Sequence, residues 1–317
     1  MKVIERIRTS DRTLFSFELL PPLKGSHIDQ LYKAIDPLIE FNPLMINVTY
    51  HQQEGVFRNL PNGLLERHVV SKRPGTVAIS AAINYKYGIT TVPHIICGGF
   101  SREETEDALI DLHFLGIRNI LALRGDAQKG ERYFVPQQGG HAHASDLVAQ
   151  IMNMNKGKYL DESLENATPT EFSVGVAGYP EKHFESPNME SDMRQLKAKV
   201  DAGADYIVTQ MFYDNKKFFD FVKNCREAGI TVPILAGLKP IVTRRDIEIL
   251  PQVFHIDIPE DLVKEVKKCN TNAEAKEVGI EWTIQQSKEL MRYGVPALHY
   301  YTIGISDNIQ RIAKAVF

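Results

Sequence analysis

Short runs of β-branched and aliphatic residues recur along the chain, separated by longer stretches in which apolar residues return every three or four positions. The apolar runs predict strands over 14–20, 44–50, 91–97, 119–124, 172–179, 206–212, 232–238 and 297–303. The stretches between them predict helices. Over 189–202, Met193, Leu196 and Val200 recur at i, i+3 and i+7 as one buried stripe, and Gly203 ends it. Gly116 and Gly229 stand at the same place in their own units, where a left-handed residue closes a helix ahead of the next strand. The repeating unit is strand, loop, helix, glycine, strand.

Alternating strands and helices imply parallel pairing, because a parallel neighbour is reached only by a crossover that covers the sheet. A barrel and a doubly wound sheet both satisfy this. About eight strands favour the closed form, and no G-x-G occurs anywhere, whereas a dinucleotide-binding doubly wound sheet places one after its first strand. The expected architecture is a (β/α)8 barrel of the TIM type, one domain over 1–317. Residues 127–170 interrupt the rhythm with a Gln/Gly/His-rich stretch, a predicted helix over 144–155 and a polar tail, which is expected to be an extended loop and insertion.

Composition narrows the class. With 43% hydrophobic and 24% charged residues in 317, the chain can bury a large core. Lys+Arg 37 against Asp+Glu 40 gives a net charge of -3, without the positive excess that nucleic-acid binding exploits. Cys97, Cys225 and Cys269 are scattered without C-x-x-C spacing, so neither a zinc knuckle nor a disulfide framework is expected. The segment from Met1 to Arg8 alternates charged and apolar residues unlike a secretory signal. No run of ~18 apolar residues occurs either. A cytoplasmic protein without a membrane partner is expected.

Chemistry in a closed barrel belongs at the carboxyl ends of the strands. Glu18, Thr49, His94, Asp126, Tyr179, Gln210 and Tyr301 all fall there. Any one alone would pass for a turn or cap residue; their convergence points to a site. Glu18, flanked by Phe17 and Leu19 and closed off by Pro21-Pro22, is expected to be a desolvated carboxyl raised toward neutrality and able to act as a general acid. Asp126 follows Arg124 and Gly125, a glycine that would let a flat ligand approach the backbone. Asp192, Gln195 and Lys199 share a helix face whose acceptors and cation suit ribose and phosphate. His141 and His143 form an H-x-H in a Gly-rich stretch, expected to be a mobile loop, and no metal is expected.

Several segments together resemble the methylenetetrahydrofolate reductases: Phe17-Glu18-Leu19-Leu20-Pro21-Pro22, Asn47-Val48-Thr49-Tyr50, Pro93-His94, Ala122-Leu123-Arg124-Gly125-Asp126, Ala144-Ser145-Asp146-Leu147, Gly178-Tyr179-Pro180-Glu181-Lys182-His183, and Lys197 to Ala204 followed by Thr209-Gln210. The likeness runs from the first strand to the last. It implies a flavin-containing barrel in one-carbon metabolism that reduces 5,10-methylenetetrahydrofolate to 5-methyltetrahydrofolate in a ping-pong reaction, with NADH or NADPH as donor and non-covalent FAD as carrier. By that resemblance Glu18 is the general acid and Asp126 the carboxylate beside flavin and pterin. Gln210 and Tyr301 match substrate-contacting positions. Thr49, Tyr50, His94, Arg124, Gly125, Asp126, Ala144, Tyr179, His183, Asp192, Gln195 and Lys199 match positions that hold FAD.

The last strand departs from the family pattern H-F-Y-T-L-N-R, with Gly304 and Ile305 in place of the Asn and Arg. Asp246 and Leu250 occupy places where bacterial members carry Gln and Phe. Small-molecule substrates and a homo-oligomer are the expected partners, and the family's eukaryotic regulatory domain is not expected after Phe317. Two other classes fit parts of the pattern: an FAD-dependent barrel oxidoreductase of the proline dehydrogenase type, and a non-catalytic folate- or flavin-binding subunit.

Overall fold

The structure, a computed structural model, describes residues 1–128, 131–302, 304 and 306–317. The chain opens with helix α1 (Val3–Thr9) and strand β1 (Leu14–Leu19). Helix α2 (Asp29–Ile35) and a 3-10 turn (Asp36–Phe41) lead to β2 (Ile46–Val48), and a hairpin of β3 (Glu54–Asn59) and β4 (Leu65–Val70) follows. Then come α3 (Thr76–Tyr87), β5 (Thr91–Ile96), α4 (Arg102–Phe114), β6 (Asn119–Leu123), α5 (Ala144–Met154), β7 (Ser173–Gly178), α6 (Met189–Asp201), β8 (Tyr206–Thr209), α7 (Asn215–Glu227) and β9 (Ile234–Leu238). Helices α8 (Asp246–Phe254), α9 (Glu260–Lys268) and α10 (Asn272–Tyr293), strand β10 (Ala297–Tyr301) and α11 (Asp307–Val316) complete the order.

Eight strands close in the order β1-β10-β9-β8-β7-β6-β5-β2, each pair parallel, which is the (β/α)8 barrel expected from the alternation. Each expected strand is present, most of them shorter at one or both ends; the expected end at Ile303 lies outside the described residues. The helix expected over 144–155 is the barrel's own crossover α5 between β6 and β7. The hairpin was not anticipated.

Alternation decides which side chains serve which layer. Phe15, Phe17 and Leu19 of β1 are buried among helix residues such as Ile35 and Ile312, where each large apolar side chain contributes about 1.5–3 kcal/mol. Their neighbours Ser16 and Glu18 face the barrel axis. A separate cluster fills the lower barrel: Val92, Leu121, Tyr206, Val208 and Leu235, with Val3 and Ile7 of α1 plugging its floor. The plug is keyed by the Val3 N–H, which donates to Asn119 Oδ1 at 2.7 Å. Apolar filling below leaves the strands' carboxyl ends for polar groups. Among the described residues no helix is long and apolar enough to cross a membrane.

Candidate active site

A cavity of about 830 Å³ opens at the carboxyl ends of the strands, and every residue expected from the sequence to act on or hold substrate or FAD lines it. Its floor is apolar, from Ile96, Leu121, Leu123, Ala177 and Val208. One wall belongs to β1, β2, β5 and β10. There Glu18 Oε1 accepts the Thr49 hydroxyl at 2.6 Å, and Glu18 Oε2 stands 3.3 Å from His94 Nε2 and 3.7 Å from His299 Nε2. The longer contact is one of charge rather than a hydrogen bond, and His299 Nε2, though buried, has no hydrogen-bond partner. Asn47 Nδ2 reaches His94 Nε2 at 3.3 Å, and Ser16 Oγ lies 2.9 Å from His299 Nδ1. Tyr301, the β10 residue beside Glu18, donates its hydroxyl to Thr209 O at 2.6 Å. That seat exists because Gly237 has no side chain: a Cβ there would lie 2.1 Å from Thr209 O and 2.8 Å from the Tyr301 hydroxyl.

This geometry corrects the expectation of a Glu18 carboxyl raised toward neutrality. Burial does push it up, but His94 and then His299 pull it further the other way, so it settles well below the usual carboxylate range. His299 is lowered by burial against the opposing pull of Glu18, and His94 is the nearer and stronger partner of the carboxylate. Sequence showed the apolar flanks of Glu18; it did not show two imidazoles brought across the barrel.

The opposite wall comes from β6, β7 and α6. Arg124 holds Glu185 with both terminal nitrogens, at 2.5 and 2.9 Å, and its guanidinium lies 4.9 Å from the Phe134 ring centre. Gly125 adopts φ +86, a left-handed turn that brings Asp126 to the rim. Tyr179 meets His183 edge-on at 4.7 Å, and its hydroxyl is raised by burial, then by the charges of Asp126 and Asp192. Asp192 is buried and orders the loop above it, with Oδ2 accepting the His183 N–H at 3.2 Å and Oδ1 the Ser186 hydroxyl at 2.9 Å. Lys199 donates to Ala177 O at 2.5 Å and is pushed down to about 8 by burial, against the pull of Asp192. Gln210 Oε1 accepts the Met211 N–H at 3.0 Å.

Ala144 begins α5, and the first turn of that helix, with His143 and Ser145, opens onto the cavity. The H-x-H is divided. His141 is buried with Nε2 2.5 Å from Gln150 Oε1, whereas His143 donates its N–H to Asp146 at 3.1 Å as the helix cap. Among the described residues no group of three His, Cys, Asp or Glu side chains is placed to hold a metal. Asp246 spends its carboxylate on Val242 N, Thr243 N and the Thr243 hydroxyl, and Leu250 is buried in a satellite core. Neither lines the cavity, but Phe254, one helical turn beyond Leu250, does. Ile305 lies outside the described residues.

Sequence reasoning missed His299, Asn47, Ser16 and Phe254. For Ser16, Asn47 and His299 a signal existed, since each stands two residues before an expected site residue on an inward strand face.

A family model described as methylenetetrahydrofolate reductase matches residues 3–316. The chain belongs to the methylenetetrahydrofolate reductase family. It is 32% identical over 321 residues to methylenetetrahydrofolate reductase (NADH) 1 of Arabidopsis thaliana, covering 97% of this chain and 49% of that protein. To the 5,10-methylenetetrahydrofolate reductase of Pectobacterium carotovorum subsp. carotovorum it is 28% identical over 295 residues, covering 92% of this chain and 86% of that one. This member of the family thus spans about half the length of the plant relative. Among solved structures, an uncharacterized protein from Clostridium thermocellum that binds two copies of 5-methyl-5,6,7,8-tetrahydrofolic acid shares the fold, with a TM-score of 0.57 at 13% identity over 99% of this chain and 98% of that one.

Proposed function

We propose that the protein reduces 5,10-methylenetetrahydrofolate to 5-methyltetrahydrofolate with a hydride drawn from NADH or NADPH through non-covalently held FAD. The observation that carries the reading is Glu18: a carboxyl bonded to Thr49, facing two imidazoles, in the same cavity as the Arg124, Tyr179, His183 and Lys199 wall. The residues present fit a flavin dinucleotide. The apolar floor and Gly125 suit a flat ring, the cations Arg124 and Lys199 and the first turn of α5 suit phosphates, and the volume suits a ligand of that size. FAD, when bound, supplies a two-electron carrier between the nicotinamide and the folate.

The chain's own residues supply position and protons. Glu18 passes a proton to the bridging amine nitrogen of the folate, the carbon–nitrogen bond of the one-carbon bridge breaks, and the iminium carbon left behind accepts the hydride to become the methyl group. Because the carboxyl lies low, Glu18 relays a proton rather than storing one. Asp126 and Gln210 stand at the rim to hold the pterin, and Tyr301 is fixed beside Glu18 by its bond to Thr209. Anaerobic incubation with NADH, FAD and methylenetetrahydrofolate, followed by chromatography, should yield 5-methyltetrahydrofolate and NAD in equal amounts. NADH oxidised with a quinone acceptor but no methylated folate would point to another flavin oxidoreductase, and no oxidation at all to a binding protein.

A further inference from the structure

The loop that follows β7 and the connection between α8 and α9 meet at Glu181. Glu181 Oε2 accepts the Asp257 N–H at 2.6 Å, while Oε1 is buried without a hydrogen-bond partner. A second bridge joins the same two segments, with Phe184 stacked on His255 at 4.6 Å and on His183 at 4.9 Å between ring centres. Both segments line the cavity, one through Tyr179, His183 and Ser186 and the other through Phe254. The mechanism above makes no use of Glu181.

We propose that Glu181 is a proton-operated clasp and a positioning residue: as the acid it seats the 254–258 connection against the 179–187 loop, and on ionisation it releases that wall of the cavity. The chemistry follows from what surrounds it. Burial raises the carboxyl to about 7, the Asp257 N–H lowers it, the Asp257 carboxylate raises it, Lys217 lowers it and Asp214 raises it. Lys217, paired with Asp257 at 3.0 Å, pulls the carboxyl down but is outweighed by burial. An ionised Oε1 without a donor has to reach water, and reaching water means leaving Asp257. An acid raised in the closed form from its ordinary 4.5 makes closure bind a proton. Closure is therefore fully favoured below about 4.5 and is lost as the pH rises through about 7.

Amide hydrogen exchange on the peptide covering 253–260, corrected for the intrinsic pH dependence of exchange, reads the clasp without any ligand. Protection should fall about tenfold between pH 6 and pH 8, the linkage expected of one proton across that window. Glu181→Gln keeps the shape of the acid and cannot ionise, so its protection should stay level. Asp257→Asn retains the N–H donor and removes a facing carboxylate, so its loss should be complete at lower pH and its fall between pH 6 and pH 8 should be smaller. His183 and His255 share the interface and are intact in Glu181→Gln; a fall that persists in that variant, or no fall in the wild type, overturns the clasp. A second measurement, release of bound FAD, rests on the flavin reading and should accelerate at pH 8 in the wild type but not in Glu181→Gln. A protein that takes up no FAD would sink the flavin reading, and hydrogen exchange would still decide the clasp.

Discussion

The Glu18 carboxylate and the His94 imidazole face each other at 3.3 Å, Oε2 to Nε2, in a corner where the Thr49 hydroxyl already occupies the other carboxylate oxygen. Of the groups that pull this carboxyl down, His94 is the first. A bound folate that excludes water would strengthen that coupling.

Glu18→Gln can keep the Thr49 contact and removes the carboxylate that would relay a proton. Reduction of bound flavin by NADH should continue at close to the wild-type rate, while reduction of the folate should slow by ~10² or more. Stopped-flow absorbance of the two half-reactions separates them. Equal losses in both would make Glu18 a positional residue.

The same variant tests the electrostatics. A carboxyl held below its ordinary 4.5 stabilises the fold above that pH, and the contribution is lost as the pH falls below 4.5. The melting temperature of Glu18→Gln should therefore lie below that of the wild type at pH 7, with the gap narrowing as the pH is taken from 5 toward 3. A gap that widens on acidification would reverse the sign assigned to the shift.

Asp192→Asn leaves one of two donors, the His183 N–H or the Ser186 hydroxyl, without its acceptor. Such a loss in a buried site costs about 1–3 kcal/mol. Calorimetry should show a lower melting temperature, and the loosened loop should release FAD faster. A variant that melts lower yet holds FAD as tightly as the wild type would confine Asp192 to scaffolding.

Phe254 presents an aromatic face to the cavity from the end of α8. Phe254→Ala should raise KM several-fold for the substrate that lies against it and leave kcat nearly unchanged, since stacking of this kind acts alike in ground and transition states. Steady-state kinetics with folate and nicotinamide varied in turn would show which substrate it is. A fall in kcat with both KM values unmoved would place Phe254 nearer the reacting atoms.

The repeat of strand, loop, helix and glycine was legible in the chain because period-2 and period-3.6 burial are local rules, and eight such units close in one way. The strand-end residues were legible for the same reason: a barrel brings every carboxyl end to one face, so Glu18, Asp126 and Gln210 had to share a cavity once the strands were placed. The hairpin was written in Asn62-Gly63, a turn signal between apolar residues. What the sequence could not determine were contacts between residues far apart in it. That His94 and His299 would close on Glu18 and reverse its shift, and that Glu181 would meet the Asp257 amide with one oxygen left dry, depend on distances between strands or between loops. Electrostatic and hydrogen-bond energies change within an ångström, and only the packed tertiary structure sets those separations.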